Sequence, residues 1–214
     1  IPARSGSKGI KDKNIQDINS KSLLERAIKS AEVDEIDEVY VSTDSDLYAN
    51  KATQFGAKVH NRSLEDATDI ASSESVIKSF IKFLERQNNE KYTLLLLEPT
   101  SPFRNKGHVA SSLKLFNFFG GKFPLVSCCL ANRRPYNLVI SKKENLIERD
   151  PYLRKFDFKR RQENKKLWRV NSAIYIFNSK FEGDDFLSNS TLIKYPMSEL
   201  ESLNIDTKDE LLCA

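Results

Sequence analysis

The chain has 214 residues, 39% of them hydrophobic and 30% charged, with a formal net charge of +4. That length supports one good core, or one domain with a small appendage, and the composition excludes an intrinsically disordered chain. No apolar run approaches the length of a membrane span, and so mild a charge argues by itself for neither nucleic acid nor an acidic small substrate.

The first fourteen residues hold the densest information. Ile1 and Pro2 end a strand, and a small-residue turn follows with Arg4, Ser5, Gly6, Ser7, Lys8 and Gly9, closed by Lys13 and Asn14. Glycines let the backbone fold closely around a ligand, free N–H groups in such a turn bind anions, and Arg4, Lys8 and Lys13 add positive charge. The turn suits a triphosphate, although a basic glycine-containing loop is also an ordinary solvated turn. It matches neither the Walker A nor the Gly-x-Gly-x-x-Gly spacing. The sequence shows no signal peptide, and a few residues are expected to precede Ile1 because almost none of the first strand is present.

Strand and helix then alternate. Residues 22–31 read as a helix with Leu23, Leu24, Ala27, Ile28 and Ala31 on one face. Residues 38–43 read as a strand, 46–55 as a helix stopped by Gly56, and 58–60 as a short strand. An amphipathic helix over 73–87 precedes a near-continuous apolar strand over 92–97, as expected of a buried parallel strand. A helix over 107–118 and a strand over 125–129 complete the rhythm. This order predicts an α/β fold with a doubly wound, mostly parallel sheet, in which ligands bind beyond the carboxyl ends of the strands.

The rhythm breaks at residues 132–167, a polar and basic stretch with strand-like pieces at 136–140 and 156–158, and regular structure resumes over 170–177. The basic run from Lys155 to Arg169 carries no nucleic-acid motif and reads as solvated. His60 and His108 lack ligand spacing and read as structural or surface residues. Cys128 and Cys129 read as small core residues, and the odd count with Cys213 argues against a disulfide framework and for a reducing, cytoplasmic compartment.

Polar motifs recur at predicted strand ends. Residues 97–104 read Leu-Glu-Pro-Thr-Ser-Pro-Phe-Arg, in which two prolines stiffen a turn carrying Thr100, Ser101 and Arg104. Residues 41–44 read Val-Ser-Thr-Asp. Arg62 leads towards Ala71, Ser72 and Ser73, where either serine could cap the next helix. Arg160, Arg161 and Gln162 precede Asn171 in its strand, and Asn204-Ile205-Asp206-Thr207 lies near the end.

In this order over nearly the whole chain, Ile-Pro-Ala-Arg-Ser-Gly-Ser-Lys-Gly, Pro-Thr-Ser-Pro-Phe-Arg and Asn-Ile-Asp-Thr resemble the acylneuraminate cytidylyltransferases, the CMP-sialic acid synthetases. The resemblance implies a single cytidylyltransferase domain over 1–214, with 132–167 an inserted dimerisation and sugar-binding segment. It implies transfer of CMP from CTP to the anomeric hydroxyl of a nine-carbon 2-keto acid sugar, with release of pyrophosphate. It implies Mg²⁺ (or Mn²⁺), a homodimer in which Arg161 nears the partner's sugar pocket, and no nucleic acid or membrane. Arg4, Ser7, Lys8 and Lys13 would hold the triphosphate, with Arg4, Lys8 and Asp206 catalytic. Asn14, Arg62, Ala71 and Ser73 would frame the cytidine. Glu98, Thr100, Ser101, Arg104, Arg161, Gln162 and Asn171 would face the sugar, with Arg161 on its carboxylate. Asp206 and Asn204 would hold the metal.

Three positions depart from the family pattern. Asn204 stands where the family has a metal-binding aspartate, offering a neutral oxygen instead. Glu98 stands where many members have Gln, and could replace the lost charge, act as a base, or accept a sugar hydroxyl. Asn137 falls where some sialic acid enzymes have Lys, which brings legionaminic- or pseudaminic-type sugars into competition. The alternatives are a 3-deoxy-manno-octulosonate cytidylyltransferase, whose Gln-Gly-Asp-x-Pro stretch is absent from 97–104, and a catalytically weakened nucleotide-binding module.

Overall fold

From the phosphate-like loop the chain turns through one 3₁₀ turn (Lys13–Ile15) into a short antiparallel pair, β1 (Asp17–Ile18) and β2 (Lys21–Ser22). The computed structural model describes residues 1–7, 9–62, 73–87, 90–131, 139–143, 146–149, 167–179 and 191–214. The helix α1 (Leu23–Ser30) follows, capped by Ser22, whose Oγ accepts the Glu25 N–H at 3.1 Å. Its expected apolar face is the one it buries: Leu23, Leu24, Ala27 and Ile28. Then come β3 (Tyr40–Thr43), α2 (Asp46–Gln54) and β4 (Lys58–Asn61), with Gly56 at φ +90° just past the end of α2. β3 and β4 are parallel, and Pro2 bridges Ser42 in the same sense on the other side of β3.

Next are α3 (Ser73–Glu85), β5 (Thr93–Leu96), α4 (Lys106–Phe118), β6 (Leu125–Leu130), the hairpin of β7 (Val139–Lys143) with β8 (Leu146–Arg149), β9 (Trp168–Asn178), β10 (Ile193–Pro196) and α5 (Lys208–Cys213). Four strands form one sheet in the order β10-β6-β9-β5. Only β10 and β6 are parallel in it; β9 runs antiparallel to both neighbours. The expected alternation of strands and helices is found, and among the described residues the pairing is mixed, parallel for β3–β4 and β6–β10 and antiparallel at β9. Parallel strands need a long crossover, whereas β9 enters after the 132–167 break and is free to run the other way. A slot of about 700 Å³, lined by Val39, Tyr40, Phe80, Leu94 and Leu96 among others, separates β3 from the edge of β5.

Three apolar clusters hold these pieces. Leu97, Val109, Leu113, Phe116, Leu125, Ile174 and Ile176 pack α4 onto the four-stranded sheet. Ala3, Leu24, Ile28, Val41, Tyr48 and Ala52 pack α1 and α2 around β3. Ile10, Ile18, Leu23 and Ile205 form the third, which joins the N-terminal loop to the segment before α5. Burying such side chains contributes about 1.5–3 kcal/mol each, so this small cluster sets the spacing of two segments nearly 200 residues apart.

Both histidines are structural. His60 is buried, within 3.0 Å of Ser42 Oγ, with its ring against Phe80 and Phe83. His108 closes a capping box on α4, exchanging bonds with the N-cap Asn105. Cys128 and Cys129 are buried in β6, Cys213 is exposed, and all three are free. Among the described residues no helix is long and apolar enough to cross a membrane. Of the 132–167 segment the described part is the β7–β8 hairpin and Leu167; the proposed strand at 156–158 lies outside the described residues.

Candidate active site

Three sequence-distant segments meet beyond the strand ends: residues 4–14, residues 98–104 and residues 204–206. The Ile205 N–H donates to Thr100 O at 2.9 Å. A Cβ on Gly9 would lie 2.7 Å from Asp206 O, so only glycine lets the loop approach this closely. Gly6 makes the sharp turn, at φ +70°. Lys13 Nζ stands 2.9 Å from Asp206 Oδ1, and Asn14 Nδ2 donates to Arg4 O at 3.2 Å, so the end of the loop braces its start.

Asp206 is exposed and both its oxygens are engaged. Lys13 takes Oδ1, and Asn204 Nδ2 donates to Oδ2 at 2.6 Å. Its own N–H, with that of Thr207, donates to the Glu210 carboxylate at 2.8 Å, and Thr207 caps α5. Asn204 Oδ1 is buried and has no hydrogen-bond partner. An acceptor left bare in this way is out of the ordinary, because buried polar atoms are generally paired.

Ser5 lies against Asp44 at the end of β3. Its N–H donates to Asp44 Oδ1 and its hydroxyl to Oδ2, both at 2.7 Å. Burial pushes the Asp44 carboxyl up, but the two Ser5 bonds, its own backbone and the nearby Arg62 more than offset this and hold it below its usual value. The Asp44 contact is absent from the sequence-based site, where its only signal was an acid just past a strand end. Arg62 is buried, and its guanidinium folds back onto Ser42, with Nη2 3.1 Å from Ser42 O.

Two of the expected sugar-facing residues, Arg104 and Asn171, spend most of their polar atoms on buried protein contacts, although Arg104 Nη2 has no partner among the described residues. Arg104 is buried; Nε donates to Ser30 Oγ at 3.0 Å, and Nη1 donates to Glu98 O and Ala173 O at 2.8 Å each. It therefore clamps α1, the end of β5 and β9 together, and burial brings its pKa down to about 10 against the pull of Glu98. Asn171 is also buried. The pairing of β6 with β9 jumps between Val126 and Cys128, and Ser172 sits at φ +60° in this bulge. A bulge leaves ladder groups unpaired. Asn171 Oδ1 accepts the Ala173 N–H at 3.2 Å, Ser127 Oγ accepts the Ile174 N–H at 2.7 Å, and Asn171 Nδ2 donates to Ser202 Oγ at 2.7 Å. Its amide is thus consumed by the bulge.

Of the remaining expected residues, Ser101 is buried with an unpaired hydroxyl, and Thr100 contributes its carbonyl to the Ile205 contact. Glu98 is partly buried; burial pushes its carboxyl up, opposed by Arg104, Arg62 and Lys13. Arg4 and Ser7 belong to the loop, and Ser73 is the first residue of α3. Lys8, Ala71, Asn137, Arg161 and Gln162 lie outside the described residues.

Residues 1–110, which carry the loop, Asp44, Arg62 and the 98–104 turn, match the family model described as Cytidylyltransferase. The chain belongs to that cytidylyltransferase family, a family of nucleotidyltransferases. It is 29% identical to an N-acylneuraminate cytidylyltransferase of Streptococcus agalactiae, across 99% of this chain and 51% of that protein. It is 31% identical to the CMP-N,N'-diacetyllegionaminic acid synthase of Legionella pneumophila, across 97% of this chain and 89% of that one. The chain spans about half the length of the first group of relatives. Among solved structures it resembles a CMP:2-keto-3-deoxy-manno-octonic acid synthetase complexed with CTP, with a TM-score of 0.68 and 15% identity over 99% of this chain and 93% of that one. At that identity the likeness shows a shared fold.

Proposed function

We propose that this protein transfers CMP from CTP to the anomeric hydroxyl of a nine-carbon 2-keto acid sugar, sialic acid or a related nonulosonic acid, and releases pyrophosphate. The observation that carries the reading is the meeting of loop 4–14 with Asp206 beneath the 98–104 turn. It gathers cationic loop side chains, closely approaching loop backbone and an exposed carboxylate at strand ends, in a chain of the cytidylyltransferase family. Relatives named for N-acylneuraminate and for diacetyllegionaminic acid support an acidic nonulosonic acid as the acceptor. The two parallel pieces and the four-stranded sheet fit halves of a doubly wound nucleotidyltransferase sheet.

In this reading the sugar hydroxyl attacks the α-phosphorus in line. Positioning and charge stabilisation do most of the work in phosphoryl and nucleotidyl transfer. Arg4, Ser7, Lys8 and Lys13 hold the triphosphate and stabilise charge on the departing pyrophosphate. Asn14, Arg62, Ala71 and Ser73 frame the cytidine. Glu98 accepts a sugar hydroxyl, and Arg161 with Gln162 takes the sugar's carboxylate and amide.

A divalent cation fits the residues present. Asn204 Oδ1 is a buried oxygen without a donor, and Asp206 is an exposed carboxylate beside it. Among the described residues no cluster of three His, Cys, Asp or Glu side chains could hold a metal alone, so the triphosphate and water would complete the ligand set, as is usual for Mg²⁺. When bound there, Mg²⁺ or Mn²⁺ supplies charge neutralisation of the phosphate oxygens.

The chain acts as a homodimer in the cytoplasm. Support comes from Leu130 and Leu167 at the ends of the 132–167 segment and from neighbouring Trp168 and Val170, all exposed apolar side chains of β6 and β9 or beside them. Three free cysteines suit a reducing compartment. The test is pyrophosphate release from CTP and Mg²⁺ with a panel of nonulosonic acids and the eight-carbon 3-deoxy-manno-octulosonic acid. Release with a nonulosonic acid is expected. Release with the eight-carbon acid alone, or with none, overturns the reading.

A further inference from the structure

A carboxylate beside a triphosphate loop is an electrostatic liability unless its charge is committed elsewhere, since like charges a few ångströms apart repel. Asp44 is such a group, and its commitment is specific. One oxygen takes the Ser5 N–H and the other takes the Ser5 hydroxyl, each at 2.7 Å. Hydrogen bonds to an ionised acceptor are among the stronger ones, and a two-point contact fixes orientation as well as distance.

Both partners are themselves held. The Ser42 N–H donates to Ile1 O and the Ala3 N–H donates to Ser42 O, each at 2.9 Å, so β3 and the chain entering the loop run in fixed register. Asp44 comes two residues after Ser42 and Ser5 two residues after Ala3, which brings the two ends opposite each other. Ser45 then caps α2, and its N–H donates to Thr43 Oγ1 at 3.2 Å, which fixes the chain on the far side of Asp44. The turn at Gly6 begins immediately after Ser5. The direction in which the following N–H groups point is therefore set by how Ser5 is held. At the other end the loop rests on Asp206 through Gly9 and Lys13.

We propose that Asp44 is a positioning residue for the nucleotide: by gripping Ser5 at two points it presets the 5–9 loop so that its N–H groups face the triphosphate of CTP. This rests on the reading of the loop as the triphosphate site. Asp44 touches neither substrate. Its effect is on CTP, not on the sugar, because among the described residues its loop contact is Ser5, where the turn into the proposed triphosphate loop begins. A tie that merely stabilised the fold would affect melting temperature and both substrates alike.

The test uses the full-length protein with CTP binding measured by titration calorimetry, sugar KM by pyrophosphate release, and melting temperature by circular dichroism. Wild type should bind CTP. Asp44→Ala should weaken CTP binding about tenfold or more, with the sugar KM unchanged, since misplacing binding groups by even an ångström has effects of this size or larger. Asp44→Asn should restore most of the affinity, because its carbonyl still accepts the Ser5 N–H and its amide N–H can donate to Ser5 Oγ. The Ser5→Ala, Asp44→Ala double variant should bind no worse than Asp44→Ala alone. A smaller loss in folded Asp44→Ala, a parallel rise in sugar KM, no rescue by Asn, or additive losses in the double variant overturns the role. If Asp44→Ala does not fold, Ser5→Ala carries the test, and unchanged CTP affinity overturns it. A wild type that fails to bind CTP overturns the reading of the loop itself, which separates that failure from this one.

Discussion

Lys13 Nζ and Asp206 Oδ1 are 2.9 Å apart across 193 positions of sequence. The ion pair closes the end of the loop onto the segment before α5, and the Ile10–Ile205 cluster packs beneath it. Lys13 is mostly covered, and Asp206 remains 61% exposed. A pair so open to solvent is a weak stabiliser, typically 0–1 kcal/mol. With the loop as the proposed triphosphate site, the pair is expected to matter more to activity than to folding.

Asp206→Ala should therefore separate the two. The melting temperature should fall by no more than about 2–4 °C, the equivalent of roughly 1 kcal/mol in a chain of this size. Turnover with CTP should fall about 30- to 1,000-fold, corresponding to roughly 2–4 kcal/mol of lost transition-state stabilisation. Steady-state kinetics beside thermal melts of the same preparations check this, and a fully active variant removes Asp206 from the chemistry. Asn204→Asp in the same assay should tighten Mg²⁺ dependence if the neutral amide is the weak part of the metal site.

The loop's two glycines should differ in kind. At Gly6 a Cβ meets nothing within 4 Å, but φ is +70°, so Gly6→Ala carries backbone strain of about 1 kcal/mol. At Gly9 the Cβ would sit 2.7 Å from the Asp206 carbonyl, backbone against backbone, so the loop and the 204–206 segment must separate. Gly9→Ala should raise the CTP KM well beyond the effect of Gly6→Ala. Equal KM values in the two variants would show that the close approach is not needed for nucleotide binding.

Part of this was legible in the residues. The helices α1, α2, α3 and α4 announced themselves by apolar spacing and, for α2, by Gly56 at its end, whereas the caps Ser22, Ser45 and Asn105 show only in the structure. The motifs at strand ends, read in order, pointed to the right family. Strand direction was not legible, because a buried apolar run looks the same whichever way it is traversed; nothing in residues 170–177 marks β9 as antiparallel to both its neighbours. Arg104 and Asn171 are polar residues next to recognisable motifs, and sequence cannot distinguish a polar group that meets substrate from one that satisfies buried backbone. Asp44 and Ser5 were each visible, but their pairing depends on the register of Ile1–Ala3 against β3, which only the fold supplies.

Arg104→Met should act on stability. It removes the donor to Glu98 O, Ala173 O and Ser30 Oγ, leaving Ser30 Oγ with its bond to Ala27 O alone. Losing one member of a buried charged network costs about 3–5 kcal/mol, so the melting temperature should drop by roughly 10 °C. At a temperature where the variant remains folded, its sugar KM should match wild type. A raised sugar KM with an unchanged melting temperature would instead make Arg104 a substrate ligand, as the sequence suggested.

Glu98→Gln should change the pH dependence of stability. Burial raises the Glu98 carboxyl above its ordinary value in spite of Arg104, Arg62 and Lys13. The folded chain then holds this proton more tightly than the unfolded chain does. Below the ordinary carboxylate pKa both states are protonated and Glu98 costs nothing. As pH rises through that value the unfolded chain releases its proton first, and this contribution destabilises the fold progressively until the folded group also ionises, after which the penalty is constant. Gln carries no such charge. The variant's melting temperature should therefore gain on wild type as the buffer moves from about pH 4 to about pH 8, starting near equality on this contribution at the acid end. Kinetics on the same variant read the other half of the role. A Glu98 that accepts a sugar hydroxyl predicts a raised sugar KM with the CTP KM unchanged. A melting-temperature difference that is the same at every pH would mean that the Glu98 charge is not what burial opposes.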